Sequence, residues 1–434
     1  MAKAKSKKIT LEEALVPIEE QEYSIPNNWI WIYQNFVCQL SNGEKTIGEE
    51  YPYLEVKYLR GNTDAEIKDS GRFITANTKV ILVDGENSGE VFEVLENGYM
   101  GSTFKALNIS QMVNEKYLLY YVNSKRELLR KNKTGSAIPH LNKKLFFSLG
   151  FPLPPLPEQQ RIVEQIESLF AKLDMAREKA EFVISCFEER MVAIIHKAFE
   201  GVLTRKWREA NNVSCDSWKM VPLKNCGRWF GGGTPATSVG AYWEKGDIPW
   251  ITSKDMKDRV IEDSIMHITM AGVENSSANY CDEPAVLFVM RSGILRRVFP
   301  VCMVNRPFTV NQDLKACVPA MNQDYLYWFC TGYEKDIRDK CMKSGTTVES
   351  VEAKKLMDYE VPVASANEQT EVVKQIESLI NKEESVKELA KNVIEKIDAM
   401  KKLILAKAFR GELGTNISLE ESSIELLKKT IEEG

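Results

Sequence analysis

Hydrophobic residues in two long segments of the chain follow a repeat of alternating four- and three-residue steps. The first stripe runs through residues 162–187 and continues through residues 191–198 after a local four-residue step, and the second covers residues 372–408. A narrow apolar seam flanked by charged residues is typical of a coiled-coil helix. We therefore predict two long helices, of which the first, at residues 158–200, would be roughly 65 Å long at about 1.5 Å per residue.

The two predicted helices are copies of one another. Glu-Gln at 158–159, Gln-Ile-Glu-Ser-Leu at 165–169 and Lys-Ala-Phe-x-Gly at 197–201 recur at 368–369, 375–379 and 407–411, so the offset is 210 throughout (368 − 158, 375 − 165, 407 − 197). The helices therefore have matched lengths. Pro157 at the start of the first, and Gly201 and Gly411 after the ends of both, are helix start and stop signals.

The apolar seams of the two copies differ at two positions, where Glu383 and Lys401 replace Leu173 and Met191. A single amphipathic helix more often belongs to a protein core than to a coiled coil. Two copies at a fixed offset, each preceded by about 150 residues of different character, favour pairing about a two-fold axis. Antiparallel pairing would place the preceding blocks at opposite ends of the rod, and parallel pairing would place them side by side. We predict the antiparallel pair.

The two blocks before the helices combine strand and helix patterns, which predicts two α/β domains with pseudo-two-fold symmetry. Ile-Pro-Trp-Ile at 248–251 matches Tyr-Pro-Tyr-Leu at 51–54, at an offset of 197 (248 − 51). Strands are predicted at 29–39, 51–59, 79–83 and 285–290, and helices at 114–131 and 322–340.

Composition limits the class of protein. The 434 residues suit two globular domains plus the helices. No apolar run has the length of a membrane span, and no apolar core follows the basic first residues, so we expect a cytoplasmic protein. Nine scattered cysteines without a Cys-x-x-Cys motif predict a reducing compartment, and three histidines argue against a metal centre.

The net charge of −5 is unevenly distributed. Residues 41–100 contain 12 acidic and 6 basic residues, whereas residues 101–147 contain 9 basic and 2 acidic ones. In the second block, residues 285–347 contain 9 basic and 5 acidic residues. A basic face on each domain is therefore predicted, as nucleic-acid binding would require.

Several motifs resemble those of one family. Pro-Leu-Pro-Pro-Leu-Pro-Glu-Gln-Gln-Arg-Ile-Val at 152–163 is similar to the central repeat of the specificity (S) subunits of Type I restriction-modification systems, and the helix beginning at Glu368 is similar to the distal repeat. The Lys-Ala-Phe helix ends are typical of that family. Residues 248–251 and 311–313 resemble its target recognition domains. The two copies differ in sequence between residues 364–367 and 154–157, and between residues 101–103 and 311–313.

The resemblance implies a non-catalytic DNA reader that serves phage defence. Each block would read one half of a bipartite, asymmetric DNA site, and the coiled coil would fix the spacing and dock two modification (adenine methyltransferase) subunits. Partner subunits would bind S-adenosylmethionine, ATP and Mg, and this chain would bind no cofactor. Restriction subunits, where present, would add translocation and cleavage. The implied segments are a lead-in at 1–24, target recognition domain 1 at 25–156, the central repeat helix at 157–212, target recognition domain 2 at 213–366, the distal repeat helix at 367–413 and an acidic tail at 414–434.

Candidate DNA contacts follow from residue type and position, because Arg, Lys, Asn and Gln read base edges while Lys, Arg, Ser and Thr contact phosphates. Each position by itself fits a solvated surface residue somewhat better than a DNA contact, but the set favours contact. The candidates are Lys57, Arg60, Lys105, Lys133, Thr134 and Ser136 in the first block, and Lys254, Lys257, Arg291, Arg296, Arg297, Gln312, Lys315, Lys343, Ser344 and Thr346 in the second.

Polar residues that are identical in both helices but lie off the apolar stripe suggest a docking face that a partner uses twice. They also fit the simpler role of supporting the seam, and the phenylalanine at each helix end could either anchor a partner or cap the coiled coil. The candidate docking residues are Gln165, Glu167, Ser168, Phe199, Gln375, Glu377, Ser378 and Phe409.

No catalytic motif is visible in the sequence. The Asn/Asp-Pro-Pro-aromatic loop of adenine methyltransferases and the Gly-x4-Gly-Lys-Ser/Thr loop of ATPases are missing, and the glycines at 231–233 precede a proline, which predicts a turn. Two alternatives remain beside a DNA reader: a coiled-coil structural adaptor with two protein-binding domains, which the acidic net charge favours, and a self-contained enzyme with an unrecognised site. DNA site preference tests the first, and methyl transfer or cleavage by the chain alone tests the second.

Overall fold

The computed structural model describes residues 10–135, 139–214, 217–343 and 348–433. The chain forms two compact units, which are Met1–Lys179 with Val393–Gly434, and Ala180–Asn392. Each unit therefore contains one α/β block and a part of each long helix.

The first part of the chain alternates between strands and short helices before the long helical segment that ends it. In chain order its elements are α1 (Leu11–Ala14), β1 (Ile30–Tyr33), β2 (Cys38–Ser41), β3 (Glu44–Leu54), α2 (Val56–Leu59), β4 (Ile67–Ile74), β5 (Lys79–Leu82), β6 (Val91–Glu93), β7 (Gly98–Met100), β8 (Phe104–Ile109), α3 (Glu115–Ser124), α4 (Arg126–Lys131), α5 (Lys143–Ser148), β9 (Gly150–Leu153), α6 (Leu156–Ser185) and α7 (Phe187–Phe199).

The second part of the chain has a similar order of elements. They are α8 (Arg205–Asn211), β10 (Lys219–Pro222), β11 (Gly227–Gly231), β12 (Ile248–Ile251), β13 (His267–Ile268), α9 (Met270–Glu274), β14 (Ala285–Val289), β15 (Val301–Val304), β16 (Thr309–Val310), β17 (Leu314–Pro319), α10 (Gln323–Gly332), α11 (Glu334–Cys341), α12 (Ala353–Met357), β18 (Glu360–Val363), α13 (Ala366–Phe409) and α14 (Ser423–Glu433).

The two α/β blocks share one sheet topology. The strand order β2-β8-β5-β6 in the first block corresponds to β11-β17-β14-β15 in the second, and the pair β1-β9 corresponds to β10-β18. In the remaining sheets, β3 pairs with β7 in parallel at Tyr53 and Tyr99, and β12 pairs with β16 in parallel at Trp250 and Thr309. The predicted internal repeat of the blocks is thus confirmed in these strand pairs, including the 197-residue offset between residues 53 and 250. The third sheets differ in closure, because β3, β4 and β7 form a closed barrel whereas β13, β12 and β16 form a three-stranded sheet.

Several predicted elements are confirmed with altered ends. The strand predicted at 29–39 is divided into β1 and β2 by a 3-10 turn at Gln34–Phe36, and the strand predicted at 51–59 ends at Leu54. Residues 56–59, predicted to continue that strand, form the helical turn α2 instead. Val56, Tyr58 and Leu59 pack against the apolar cluster around Leu54 and Phe104 in this conformation, which explains why their strand-like composition is misleading.

The helices predicted at the ends of the blocks begin at asparagine caps. The Oδ1 atom of Asn114 accepts hydrogen bonds from the backbone N–H groups of Lys116 and Tyr117, and that of Asn322 accepts one from Tyr325. These side chains satisfy N–H groups that have no partner within the helix. Each predicted helix continues through a short break into a second one, α4 or α11.

Within the first unit, α6 and α13 run antiparallel. Lys401 lies over the ring of Phe170, with its Nζ 5.0 Å from the ring centre, and its ammonium also contacts Asp174. Arg177, further along α6, contacts Asp398, which precedes Lys401 in α13. Residue numbers therefore rise along one helix as they fall along the other.

Within the second unit, α7 and α13 are antiparallel as well. The Nζ atom of Lys387 lies 3.9 Å from the ring centre of Phe187, and Arg190 binds Glu383 at 2.6 Å. The polar residues that interrupt the second apolar seam, Glu383 here and Lys401 in the first unit, are thus paired with opposite charges on the facing helix. The antiparallel prediction is confirmed in each unit.

The first long helix is not continuous, contrary to the prediction. It is interrupted at Cys186, directly before the four-residue step in its apolar stripe, and Arg190 donates a hydrogen bond to the carbonyl of Val183 across the break. The predicted stop signals are confirmed, because Gly201 and Gly411 have φ angles of 75° and 72°. This left-handed conformation costs glycine little and terminates the helix.

The C-terminal segment is predicted to be an acidic tail but contains a helix. Leu427 of α14 is buried in the core of the first unit, where Leu426 and Ile431 also pack. The backbone N–H of Ser423 donates to the carbonyl of Asn28, which fixes the start of the helix against the beginning of the first block. An amphipathic helix therefore replaces the predicted tail.

Candidate nucleic-acid interface

The two blocks share a backbone arrangement at one sheet edge, where β5 or β14 ends. In the first block, the N–H of Val83 donates to Thr103 O and the N–H of Leu141 donates to Val83 O. In the second, Met290 takes the place of Val83 and bonds to Asp313 and Val351 in the same way. Thr103 and Asp313 are separated by the repeat offset of 210 (313 − 103). We call these two places the β5 edge and the β14 edge.

A cluster of cations lies at the β5 edge. Burial, and repulsion from Arg72 and Lys143, lower the pKa of Lys105 on β8. The ammonium of Lys105 also donates to the side-chain oxygen of Asn42. Within the described residues, neither Arg72 nor Lys143 is bound to a carboxylate, so a net positive charge remains here although Asp84 acts on Lys105 in the opposite direction. The sequence pattern indicates Lys105 but not Arg72 and Lys143, which only the pairing of the strands brings together.

The other candidate cations of the first block are either exposed or paired with carboxylates of the chain. Lys57 is exposed on α2, whereas Arg60 is paired with Glu90 and Lys133 binds the carboxylate of Glu86 at 2.6 Å. These two charges are therefore already compensated, at least in part, inside the chain. Thr134 is exposed and its backbone pairs with His140, while Ser136 lies outside the described residues.

In the second block, backbone bonds bring three candidates to the β14 edge. The N–H of Arg291 donates to Asp313 O, which follows Gln312, and Arg291 also forms a β-bridge with Ser350. Lys343 bonds through its own N–H to Ser350 O at 2.9 Å. Arg291 and Lys343 are exposed and form no ion pair among the described residues. The oxygen of the Gln312 side chain accepts from Thr234 at 2.6 Å, which leaves its amide N–H₂ available.

Lys315 occupies on β17 the position that Lys105 has on β8, because Lys315 is paired with Phe288 and Lys105 with Ile81 in the equivalent strands. Arg296 is bound to Glu349, and Arg297 is exposed beside it. Ser344 and Thr346 lie outside the described residues. The β14 edge thus combines Lys315 with Arg291, Gln312 and Lys343.

Lys254 and Lys257 lie apart from that group of contacts, on an exposed turn after β12. They line a shallow depression together with Asp255, Asp258 and Asp263. The backbone of Ser264 and the side chain of His267 lower the pKa of Asp263, which therefore stays ionised. The nearby carboxylates reduce the positive potential at these two lysines.

The repeated Glu-Gln dipeptide has a structural role that its sequence pattern does not reveal. Glu158 is fully buried and accepts hydrogen bonds from Trp29 Nε1 at 2.7 Å and Asn416 Nδ2 at 2.8 Å. Its copy, Glu368, is also fully buried. Each carboxylate thus joins the start of a long helix to the tryptophan at the beginning of the α/β block that precedes that helix.

Glu368 differs from Glu158 in having a buried cation as a partner. It accepts from Trp218 Nε1 at 2.9 Å and from Thr204 Oγ1 at 2.9 Å, and it forms an ion pair with Arg208 at 2.8 Å. The side chains of Arg208 and Glu368 are 5% and 0% exposed. The second unit therefore depends on a buried salt bridge where the first uses neutral donors.

The glutamine of the dipeptide connects the long helix to the capped helix of its block. Gln159 accepts from the N–H of Asn114 at 2.7 Å, and Gln369 accepts from the N–H of Asn322 at 3.0 Å. Each glutamine also donates to the carbonyl at the end of the preceding strand, Pro154 or Ala364. The repeated dipeptide thus holds each long helix in one orientation against its α/β block.

Of the two roles considered for Phe199 and Phe409, burial favours packing at the helix ends over the docking of a partner. Both rings are buried, at 4% and 2% exposure. Phe409 packs edge-on against Tyr117 and Tyr121 of α3, and Phe199 packs in the same way against Tyr325 and Phe329 of α10. They are core residues that join the helix ends to the α/β blocks.

Two of the polar docking candidates also have partners within the chain. Glu167 binds Lys116 at 2.6 Å, and Glu377 binds Arg259 at 2.6 Å. Their identity in the two copies is therefore explained without a partner. Gln165, Ser168 and Ser378 are exposed, and Gln375 is half-buried with its amide bound to Glu371, so these four remain as the candidate docking face.

Two other kinds of site are missing from the described residues. They contain no group of three His, Cys, Asp or Glu side chains that could hold a metal ion. In the same residues, no helix is both long and apolar enough to cross a membrane.

The family model for the Type I restriction modification DNA specificity domain matches residues 34–181 and 216–396, which together include both blocks. The chain belongs to this family. The doubled match agrees with the two copies of the α/β topology, and it confirms the resemblance seen in the helix repeats. The chain is accordingly a Type I specificity subunit with two recognition domains.

Curated relatives match the specificity subunit in part or over nearly its whole length. The Type I restriction enzyme EcoR124I/EcoR124II specificity subunit of Escherichia coli is 37% identical over 158 residues, which is 36% of this chain and 39% of that protein. The EcoBI specificity subunit of Escherichia coli is 21% identical over 454 residues, 94% of this chain and 92% of that protein. The first of these matches thus spans less than half of the relative's length.

Solved structures share the fold at low identity. The HsdS subunit from Thermoanaerobacter tengcongensis has a TM-score of 0.60 at 18% identity, over 91% of this chain and all of that one. A chain from a structure of the assembly and conformational transition of the type I R-M system has a TM-score of 0.65 at 18% identity, over 90% of this chain and all of that one. At this identity the likeness shows the fold.

Proposed function

We propose that each recognition domain of this specificity subunit contacts one half of a bipartite, asymmetric DNA site and that the chain performs no catalysis itself. The observation that carries the proposal is the repetition of one α/β topology with uncompensated cations at the same sheet edge. Lys105 with Arg72 and Lys143 would contact phosphates at the β5 edge, and Lys315 with Lys343 would do so at the β14 edge. Phosphate contacts of this kind position a protein on DNA without reading its sequence.

The different side chains at these edges support an asymmetric site. The β14 edge carries Arg291 and Gln312, whose side chains form two-pronged contacts with guanine and adenine. The β5 edge has neither residue. Two domains that share a backbone but not the residues at the exposed edge would recognise different base sequences.

The paired long helices would set the spacing between the half-sites and dock two modification subunits. Their antiparallel ion pairs in each unit, such as Lys401 with Asp174, support a defined register. The exposed residues Ser168 and Ser378, at equivalent positions of the two copies, are suited to two identical partners. S-adenosylmethionine, ATP and Mg would then belong to the partner subunits, and restriction subunits would join the assembly where the host encodes them.

Methylation-sensitive sequencing of the host genome tests this function directly. We expect a split motif that is modified on both strands and is protected by the purified chain together with its modification partner. The double variant Lys254→Ala/Arg291→Ala should weaken binding to the second half-site only. DNA retention without site preference would instead favour a protein-binding adaptor, and methyl transfer or cleavage by the chain alone would contradict a non-catalytic role.

A further inference from the structure

The β5 and β14 edges carry opposite chemistry at one equivalent pair of bridged backbone positions. In the first domain Asp84 forms a β-bridge with His140, and in the second Arg291 forms one with Ser350. His140 and Ser350 are separated by the repeat offset of 210 (350 − 140). Because the backbone arrangement is shared, the difference between the two edges lies in the side chains.

The carboxylate of Asp84 fixes the tautomer of His140. Its Oδ1 atom lies 2.6 Å from Nδ1 of the imidazole. An ionised carboxylate only accepts hydrogen bonds, so Nδ1 must carry the proton and Nε2 of the neutral ring is an acceptor. Across the part of the chain that the structure describes, Nε2 has no hydrogen-bond partner, and the imidazole is 50% exposed. The first domain therefore presents an oriented acceptor to solvent.

Arg291, which occupies the position equivalent to Asp84, presents the opposite chemistry in the second domain. A guanidinium has five N–H donors and no acceptor. The Arg291 side chain is exposed, and the described residues offer it neither a carboxylate nor a carbonyl. Among the described residues, no hydrogen bond joins the hydroxyl of Ser350 to this guanidinium. The second domain therefore offers only donors where the first offers an acceptor.

Both side chains lie beside cations suited to hold DNA. Asp84 is close enough to Lys105 to influence the pKa of that lysine, together with Arg72 and Lys143. Arg291 is connected through Asp313 and Ser350 to the backbone next to Gln312 and Lys343. A side chain placed next to phosphate-binding cations is where a contact to a base edge is expected.

We infer that this bridged pair determines which base each domain reads: His140, oriented by Asp84, accepts from the exocyclic amino group of adenine or cytosine, and Arg291 donates to guanine. This inference rests on the proposed DNA-reading function and adds its chemistry at one position of each half-site. In the major groove, adenine N6 and cytosine N4 are donors, whereas guanine presents the acceptors N7 and O6.

Selection from a pool of randomised DNA duplexes tests the inference, with the purified chain in complex with its modification partner. His140→Ala should reduce discrimination at one position of the first half-site by about fivefold, which corresponds to one hydrogen bond of about 1 kcal/mol. Arg291→Ala should relax one position of the second half-site only, by at least as much, because a guanidinium contacts guanine through two bonds.

Asp84→Asn supplies the sharper test. An asparagine amide can donate to Nδ1 of His140, which would leave the proton on Nε2 and turn the acceptor into a donor, as a carboxylate-to-amide change does to other histidines. We expect the preferred base at the affected position to change from adenine or cytosine to one with an acceptor, guanine or thymine. A loss of stability alone would not produce a new preference.

Lys144→Ala is the matched control, since Lys144 is an exposed cation on α5 that is not part of the bridged pair. It should retain the wild-type motif even if it lowers total retention. Wild-type motifs from both the His140→Ala and Asp84→Asn pools would overturn the inference while leaving the DNA-reading function intact. A wild-type pool without any split motif would overturn the proposed function instead, and this inference with it.

Discussion

The buried ion pair at the start of the second long helix gives a prediction that separates the two copies of the Glu-Gln dipeptide. Glu368→Gln would preserve the shape of the side chain, but its single oxygen could accept from only one of Trp218 and Thr204, which donate to different oxygens of the carboxylate. It would remove the charge opposite Arg208, whose side chain is 5% exposed. An uncompensated buried charge after loss of one partner costs about 3–5 kcal/mol.

Glu158→Gln is the matched control at the equivalent position. Glu158 accepts from Trp29 and Asn416, which are neutral donors, and both bonds reach the same carboxylate oxygen, Oε2. A glutamine oxygen can accept both, so we expect a loss of about 1 kcal/mol or less, in the range of a single neutral hydrogen bond. The expected difference between the variants is therefore about 2 kcal/mol or more.

Hydrogen exchange measured by mass spectrometry can locate the effect, because each peptide reports on its own part of the chain. Glu368→Gln should increase exchange in α8 and β10, and Glu158→Gln should have a small effect on β1 and the segment around Asn416. Replacing both ionic partners, with Arg208→Met in addition to Glu368→Gln, should restore more than half of the lost protection, since no buried charge remains. Equal losses in the two single variants would refute the reasoning.

Three further predictions concern the DNA-facing cations and the helices. Lys105→Ala and Lys315→Ala should each weaken DNA binding regardless of sequence. Each should also reduce the slope of log K against log salt concentration by about 0.9, as measured by fluorescence anisotropy. An altered recognition motif would contradict a phosphate contact. Gly201→Ala and Gly411→Ala should each cost about 1 kcal/mol in urea unfolding, because both glycines have positive φ angles. Gly411→Ala should cost more, because a Cβ atom there would clash with the ring of Pro26, whereas at Gly201 it would lie 3.1 Å from the Arg208 guanidinium. Lys401→Glu should destabilise the first unit by less than about 1 kcal/mol through repulsion from Asp174. Adding Asp174→Lys should restore the lost stability. If urea unfolding shows no such rescue, the pair does not set the register of the helices.

The repeated helices show which features of the structure can be predicted from local sequence patterns. The apolar stripe and the offset of 210 predict two matched helices, and Gly201 and Gly411 end them as the sequence indicates. The four-residue step in the first stripe coincides with the break at Cys186, although the stripe predicts one continuous helix. These features depend on residues a few positions apart, so periodicity and backbone preference are sufficient to locate them.

The sequence by itself determined the family, the repetition of the blocks and the positions of Lys105 and Lys315, because each is visible as a recurring residue at a fixed offset. Only the tertiary structure decided that Phe199 and Phe409 are core residues, that Lys133 is already paired with Glu86, and that Asp84 orients His140. The partners in those contacts are tens of residues or more apart. Their meeting depends on strand pairing and helix packing over the whole unit, which no local pattern of hydrophobic and polar residues specifies.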